Sequence, residues 1–438
     1  MIATQTSPDA GAPAAPLHAS APDRATKLLL ATIVMIPLAV GWVVWFAPGA
    51  ADDFNRRVTL APFDIALSAL MVVWLREIAP QARNYRRPRA SVGLVIACAF
   101  VAVFAISLAL HPSTRGFEYA VRLAGCVALV DVIRRLSTRG LRAMCVTLTV
   151  CGVAESVLAI AQVVAGHGFA LYPIDHAGPL FAFGDTHAGR GGLSHPYHLT
   201  VFLLLAAFAA LVAGCADRPF NRRLWMGAVA LIGAGLAVTF SRAMLLALIP
   251  AVLVWCFSRR DHGATTMRLL VGALLFGLAA TTILFSSGWS TRAQQSAGSG
   301  ADRGRITLAR HGLELAAEHP LTGVGPARYV LALAEPGAPD GELLPSHNLL
   351  VQAAAELGVL GACVVAAACL WYAKRIARRG MLVLGGAWLL VPFLMLDSYA
   401  YVFPTGIALS AIWLGLLEHP QLRAGTFFGN LTTVEVVQ

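Results

Sequence analysis

A histidine stands at the junction between the longest polar stretch of the chain and an apolar run. The polar stretch covers about residues 286–346, and the chain then stays apolar to about Trp371. His347 therefore falls where a water-filled loop meets the start of a predicted membrane helix. A neutral histidine there can act as a general base. It can equally be an interfacial polar residue that follows a helix-capping Ser346.

The residues after His347 predict a face of small side chains. If the helix begins at His347, then Ala354, Gly358 and Gly361 lie within roughly 40° of it around the helix axis. Such a face allows a neighbouring backbone or a lipid chain to come close. Glu356 falls on the opposite side, so helix geometry separates it from His347.

Four arginines on the side of the membrane that carries His347 could bind an anion. They are Arg190, Arg242, Arg303 and Arg305. Arg190 lies in a glycine-rich loop, where the backbone can approach a ligand, and Arg242 lies where two apolar runs almost meet. A guanidinium binds phosphate oxygens through two hydrogen bonds. The alternative is that these side chains reach towards lipid phosphates at the interface.

Several other residues have two or more possible roles. Gly323 and Gly325 could form a phosphate loop or simply a turn. Asp397 could orient a histidine, bind a sugar hydroxyl or pair with an arginine. His195 and His198 are three apart, as metal ligands on a helix can be, but no third ligand is evident and we predict no metal site.

Composition indicates a polytopic membrane protein. The chain has 438 residues, of which 58% are hydrophobic and 13% charged. The net charge of +10 does not indicate nucleic acid, because the basic residues form short clusters between apolar runs. None of the eight cysteines lies in the long polar loop, so no disulfide framework is predicted.

The fold class predicted is all-α, with about twelve transmembrane helices. The apolar runs are at about 27–47, 59–78, 91–110, 117–136, 142–165, 196–215, 223–240, 242–258, 267–286, 347–372, 381–399 and 402–418. Residues 25–418 then form one membrane domain between a disordered tail, 1–24, and a second tail, 419–438. Most of the 33 Lys and Arg residues fall on the side of the termini, which predicts that both tails are cytoplasmic.

Two large loops then lie on the outer side, at about 166–194 and 287–346. In the second, Ile306, Ala309, Leu313 and Ala316 have a helical spacing, which predicts an amphipathic helix on the membrane surface. Three acids within apolar runs, Asp64, Asp131 and Glu155, are functional candidates by position. We expect structural pairing for them, for example of Asp131 with a nearby arginine.

The order of these motifs resembles the O-antigen ligase and polymerase superfamily of bacterial envelope glycosyltransferases. The resemblance covers about residues 190–365. It rests on Ser241-Arg242, Gly304-Arg305, the run from His319 to Gly325, His347-Asn348, and the run from Glu356 to Gly361. Ala309 departs from the family, which often has tryptophan at that position, and we expect this to affect packing only.

The resemblance implies a periplasmic transfer reaction at the bacterial inner membrane. The donor is a glycan on undecaprenyl diphosphate, and in ligases the acceptor is a hydroxyl of the lipid A core, in lipopolysaccharide biosynthesis. No metal or other cofactor is expected. His347 would be the base, kept neutral by nearby arginines.

The residues that would bind substrate are Arg190, Arg242, Arg303, Arg305, Gly323, Gly325, Asn348 and Asp397. One-step displacement would invert the anomeric centre. The alternatives are an O-antigen polymerase or a protein oligosaccharyltransferase of the same superfamily and, from another class, a transporter of lipid-linked glycans.

Overall fold

The computed structural model describes residues 23–38, 42–46, 57–80, 92–169, 181–183, 186–217, 221–257, 264–298, 301–334 and 344–423. The predicted tail 1–24 therefore lies outside the described residues except for Asp23 and Arg24, and the predicted tail 419–438 lies outside them after Arg423. Within these ranges the chain is predominantly helical, with two short antiparallel hairpins.

The elements follow one another in chain order. The helices are α1 (Asp23–Met35), α2 (Pro62–Val73), α3 (Val92–Leu110), α4 (Thr114–Arg134), α5 (Thr138–Ala165), α6 (Pro196–Ala216), α7 (Arg222–Ala237), α8 (Arg242–Cys256), α9 (Ala264–Leu284), α10 (Ser286–Gly298), α11 (Ala301–Glu318), α12 (Tyr329–Ala334), α13 (Leu349–Ile376), α14 (Met381–Trp388), α15 (Val391–Met395), α16 (Tyr399–Val402), α17 (Pro404–Glu418) and α18 (Pro420–Arg423). The strands β1 (Trp42–Phe46) and β2 (Arg57–Leu60) pair, as do β3 (Ala182–Phe183) and β4 (Thr186–His187).

Five helices are long and apolar enough to cross a membrane: α3, α5, α6, residues 265–284 of α9, and α13. Three shorter apolar segments, Arg242–Cys256, Met381–Met395 and Pro404–Glu418, accompany them. The protein is thus a multi-pass helical membrane protein, and the count of twelve spans stays a prediction. Helix α6 is the centre of the bundle, because most of it is buried and it packs against α5, α7 and α9.

The first apolar run differs from the prediction. Instead of one helix over about 27–47, α1 ends at Met35, two residues before Pro37, and strand β1 follows. Proline cannot donate the backbone hydrogen bond that would continue the helix. The β1 residues Trp-Val-Val-Trp-Phe are β-branched or aromatic, the types that favour a strand.

The helix predicted in the second long loop is present as α11. Leu308, Leu315 and Ala316 are buried against the protein, whereas Ile306 is 69% and Leu313 57% exposed, and the position of α11 on the membrane surface stays a prediction. Helix α11 packs on α13, where Gly312 allows the close approach, because a Cβ at Gly312 would lie 2.6 Å from Val351 Cγ1. The spacing of apolar residues in α11 alone does not show which of them will pack on α13.

Helix α13 also begins and bends differently. It starts at Leu349, with Asn348 as the N-cap, so His347 lies before the helix. At Gly358 the backbone is not helical, with φ 73° and ψ −178°. The predicted bare face below His347 is therefore wrong, because a regular helix does not run from 347 to 361.

A turn from the preceding loop fills this bend. The amides of Val324 and Gly325 donate to the carbonyls of Ala355 and Glu356 at 2.8 and 3.0 Å, and the Val359 amide donates to Pro320 O at 2.9 Å. These bonds satisfy backbone groups that the bend frees, which is necessary for a bend within a membrane helix. These hydrogen bonds thus fix the segment from Pro320 to Gly325 against α13.

Candidate functional site

A cavity of about 1120 Å³ lies where the loops meet the helix ends. Its lining includes Arg242, Arg292, Arg305, His347 and Asp397. Four of these five residues, all except Arg292, were predicted from the sequence. The first and last of them, Arg242 and Asp397, are more than 150 positions apart. Three guanidinium groups around one cavity favour an anionic ligand.

Helix N-termini add to the positive character of the cavity. Helices α6 and α17 begin directly after the lining residues His195 and Phe403, and α8 begins at the lining residue Arg242. Helix α13 begins two residues after His347. Each N-terminus carries a partial positive charge, which favours an anion nearby.

A strained turn positions Arg242. Phe240 has φ +50°, a conformation that non-glycine residues rarely adopt. Its ring packs edge-on against Phe183 and Trp289, with ring centroids 5.6 and 5.5 Å apart. Such strain persists only where the surroundings enforce it. Next to it, Ser241 Oγ is buried in the cavity lining with no hydrogen-bond partner among the described residues.

Arg292 is a lining residue that we did not predict. It lies in α10, and its guanidinium carbon is 5.0 Å from the centroid of the Phe183 ring. The sequence contained a signal for it, because Arg292 also lies in the loop at about 287–346 that we predict to be on the outer side, against the positive-inside bias. It was missed because it stands in no recognised motif.

His347 has a carboxylate neighbour. Its Nδ1 lies 3.6 Å from Asp397 Oδ2, and both side chains are largely buried. Asp397 Oδ1 accepts a hydrogen bond of 2.8 Å from the Tyr399 amide, which fixes the carboxylate. At 3.6 Å this contact is not a hydrogen bond, and Nδ1 has no hydrogen-bond partner among the described residues. The carboxylate is near enough for its charge to stabilise a positive charge that forms on the ring when Nε2 accepts a proton.

A hydrogen-bonded chain behind His347 fixes the preceding backbone. The Ser346 amide donates to Gln352 Oε1 at 2.9 Å, and Gln352 Nε2 donates to Glu356 Oε1 at 2.8 Å. The Tyr401 hydroxyl donates to the Ser346 carbonyl at 2.9 Å. Glu356 is therefore connected to His347 through the hydrogen bonds of Gln352 and the backbone of Ser346.

We expect Gln352→Met to lower turnover while leaving donor binding close to normal. Methionine keeps the volume but removes both hydrogen bonds, so the Ser346 amide is left buried without an acceptor. The measurement is single-turnover transfer together with donor affinity. Gln421→Met is the control, because Gln421 bonds Thr138 far from the cavity. Equal effects of the two variants would contradict a positioning role.

His195 is a further lining residue with a defined protonation state. Burial lowers its pKa to about 4, Arg292 acts in the same direction, and Asp397 opposes both. Its Nδ1 accepts from the Tyr197 amide at 3.0 Å, so the neutral ring carries its proton on Nε2 as a donor. His198 Nδ1 lies 2.9 Å from Ser194 Oγ. Across the described ranges, no three His, Cys, Asp or Glu side chains are grouped to hold a metal ion.

Arg190 is buried, 7% exposed, and is not among the described residues that line the cavity. Its glycine-rich loop approaches helix α5, because a Cβ at Gly189 would lie 2.7 Å from Ala159 O. Gln162 Oε1 accepts from the amides of Arg190 and Gly191, both at 3.0 Å, and Glu155 accepts from the Gly192 amide at 2.7 Å. Glu155 thus holds a loop, as expected of a structural acid.

The remaining candidates lie around the cavity rather than in its described lining. Gly323 and Gly325 belong to the turn that fills the bend of α13, and their amides bond His319 O and Glu356 O. Asn348 caps α13, accepting from Leu350 and Val351, and donates to Met395 O at 3.2 Å. The backbone of Arg303 lies in α11, but its side chain lies outside what the structure describes.

The other two membrane acids pair with arginines. Asp64 Oδ2 lies 2.9 Å from Arg122 Nη2. Asp131 Oδ2 lies 3.0 Å from Arg135 Nε and accepts a 2.9 Å hydrogen bond from Trp74 Nε1. Pairing satisfies their charge within the apolar bundle.

Comparison with known families agrees with the motif order. Residues 227–366, about a third of the chain, match the family model described as O-antigen ligase. The matched segment contains Arg242, Arg292, Arg305 and His347, and Asp397 lies beyond it. No curated protein sequence matches the chain. The resemblance found in the sequence is thereby confirmed over residues 227–366, the segment that is similar to the O-antigen ligase family.

Proposed function

We propose that the protein transfers a glycan from undecaprenyl diphosphate to a hydroxyl of the lipid A core. The observation that carries this proposal is the cavity, where three arginines and a histidine–carboxylate pair lie together. A diphosphate leaving group needs cations, and an acceptor hydroxyl needs a base. Both are available at converging helix N-termini, beside apolar lining such as Leu245 and Leu246 that suits a lipid.

The donor diphosphate would bind among Arg242, Arg292 and Arg305. The amides at the start of α8 and the unpartnered Ser241 hydroxyl would add hydrogen bonds to its oxygens. These groups stabilise the negative charge that develops on the leaving oxygen, which is where electrostatic catalysis is most effective. Their rigidity comes from the aromatic packing around Phe240 and from α11 on α13.

The transfer would be a single displacement. The acceptor oxygen forms a bond to the anomeric carbon while the bond from that carbon to the diphosphate oxygen breaks. His347 Nε2 takes the acceptor proton, and Asp397 stabilises the resulting imidazolium. Undecaprenyl diphosphate leaves with the bonding electron pair, and the anomeric configuration inverts.

We expect the cavity to face the periplasm of the bacterial inner membrane. In a background without native cysteines, Glu318→Cys should react with an impermeant thiol reagent from the periplasm, and Arg378→Cys should not. Both side chains are exposed, so access to solvent does not separate them. The measurement is labelling of intact spheroplasts. Reaction of Arg378→Cys alone would place the cavity on the wrong side for this donor.

We expect transfer to survive exhaustive chelation. In this proposal the guanidinium groups hold the diphosphate, so a divalent ion is not required. The measurement is the rate of transfer with excess EDTA, compared with the rate after magnesium or manganese is restored. Loss with EDTA and recovery with either ion would reject the proposed role of the arginines.

The acceptor is decided by competition between defined substrates. Purified protein in liposomes is given one lipid-linked glycan with lipid A core, a second lipid-linked glycan, or an acceptor peptide. Mass analysis should show glycan on the lipid A core alone. Longer lipid-linked glycan would instead indicate a polymerase, and glycopeptide an oligosaccharyltransferase.

A further inference from the structure

A second basic cluster lies at the end of the bundle away from the cavity. Helices α4, α13 and α17 all start near the cavity. Tyr119 of α4 bonds Tyr401 O, and Phe403 before α17 lines the cavity. The part of α13 after the bend at Gly358, residues 359–376, is about 27 Å long. The far ends of these helices bring together Arg134, Arg375, Arg379 and Glu418.

One carboxylate serves two of these arginines. Arg375 bonds Glu418 through two nitrogens at 2.8 and 3.0 Å, and Arg379 also bonds Glu418. Arg379 is 6% exposed and donates to Leu417 O at 2.7 Å. The Arg375 guanidinium stacks 5.4 Å from the centroid of the Trp371 ring. The cluster is therefore rigid, and Glu418 is already fully engaged.

Arg134 of this cluster and the neighbouring Tyr372 each have a polar group without a hydrogen-bond partner among the described residues. Within the part of the chain that the structure describes, Arg134 Nε and the Tyr372 hydroxyl are buried without a hydrogen bond. All three arginines and Glu418 lie within electrostatic range of that hydroxyl. Three cations and one carboxylate leave an excess of positive charge, and buried polar groups without partners are costly.

We propose that this cluster binds the phosphate of an anionic phospholipid headgroup, held by Arg134 and Tyr372. A phosphate oxygen accepts from both groups and offsets the excess charge. Basic pockets between helix ends at the membrane surface are suited to such headgroups, whose acyl chains lie in the bilayer alongside. The exposed apolar side chain of Leu370, on the last turns of α13, offers a surface for such a chain. This lipid would anchor the far ends of α4, α13 and α17 and is independent of the glycan reaction.

The test is lipid binding by the purified protein in a neutral detergent. Native mass spectrometry with phosphatidylglycerol should show binding that phosphatidylcholine does not match. Arg134→Ala should weaken binding of phosphatidylglycerol about tenfold or more, as loss of a charge-assisted hydrogen bond does. Tyr372→Phe should weaken it less and keeps the fold testable if Arg134→Ala is unstable. Arg139→Ala is the matched control, an exposed arginine at the same end of the bundle.

Three results would overturn the proposal. Arg134→Ala and Tyr372→Phe could both bind phosphatidylglycerol as the wild type does. Arg139→Ala could lose as much affinity as Arg134→Ala, which would indicate general attraction to basic charge. Inorganic phosphate at millimolar concentration could displace the lipid headgroup completely, which would make the cluster a site for a free anion.

Discussion

His347→Ala is expected to reduce the rate of glycan transfer by about 10²–10⁴-fold, the usual contribution of a general base. Donor affinity should stay close to normal, because the cavity arginines remain. His347→Gln should be nearly as inactive, since glutamine is polar but does not take up a proton at neutral pH. The measurement is single-turnover transfer in liposomes. His167→Ala is the control, because His167 is exposed and lies outside the described lining of the cavity.

Acidification separates a base from a positioning group. Wild-type transfer should fall as His347 takes up a proton, because an imidazolium cannot accept another. The glutamine variant, already without the base, should not show this fall. If both proteins fall alike, the pH effect belongs to another group. A glutamine variant with near-normal turnover would rule out base catalysis at this position.

Arg242→Lys and Arg305→Lys are each expected to abolish most of the activity. Lysine keeps the charge but loses the planar, two-point geometry that suits phosphate oxygens. The measurement is donor affinity and transfer rate in protein that inserts normally. Arg310→Lys is the matched control on the same helix as Arg305, because Arg310 is exposed and pairs with Glu314 at the surface. Such pairs contribute little, so this variant should behave as wild type. Equal tolerance at the three positions would instead indicate arginines that interact only with lipid.

Several residues of the cavity lining could be predicted because their side chains have the functional groups that the reaction needs. Arg242, Arg305, His347 and Asp397 were each notable for a polar group beside an apolar run, and the structure brings them to one cavity. What could not be predicted was the path of the backbone. Whether Gly358 is helical depends on the turn at Pro320 to Gly325, and that contact is invisible to any local periodicity.

The same limit applies to the surroundings of Gly323, Gly325 and Arg190, whose roles in substrate binding stay predictions. Glycine allows close approach, but the sequence does not say to what. Gly323 and Gly325 approach α13, and the loop around Arg190 approaches α5 through Gln162. Likewise, the run at about 27–47 is apolar enough for a span, but Pro37 ends the helix there and strand β1 follows. Composition sets where apolar helices can form, and specific packing decides where they end.

The masses of the donor and acceptor lipids after the reaction give the most direct test of glycan transfer. Purified wild-type protein in liposomes is incubated with a lipid-linked glycan and lipid A core, and all lipids are then analysed by mass. We expect a lipid A core heavier by the glycan, an equal amount of free undecaprenyl diphosphate, and neither product with His347→Gln. Recovery of the lipid-linked glycan unchanged in mass but moved between leaflets would contradict it and indicate a transporter.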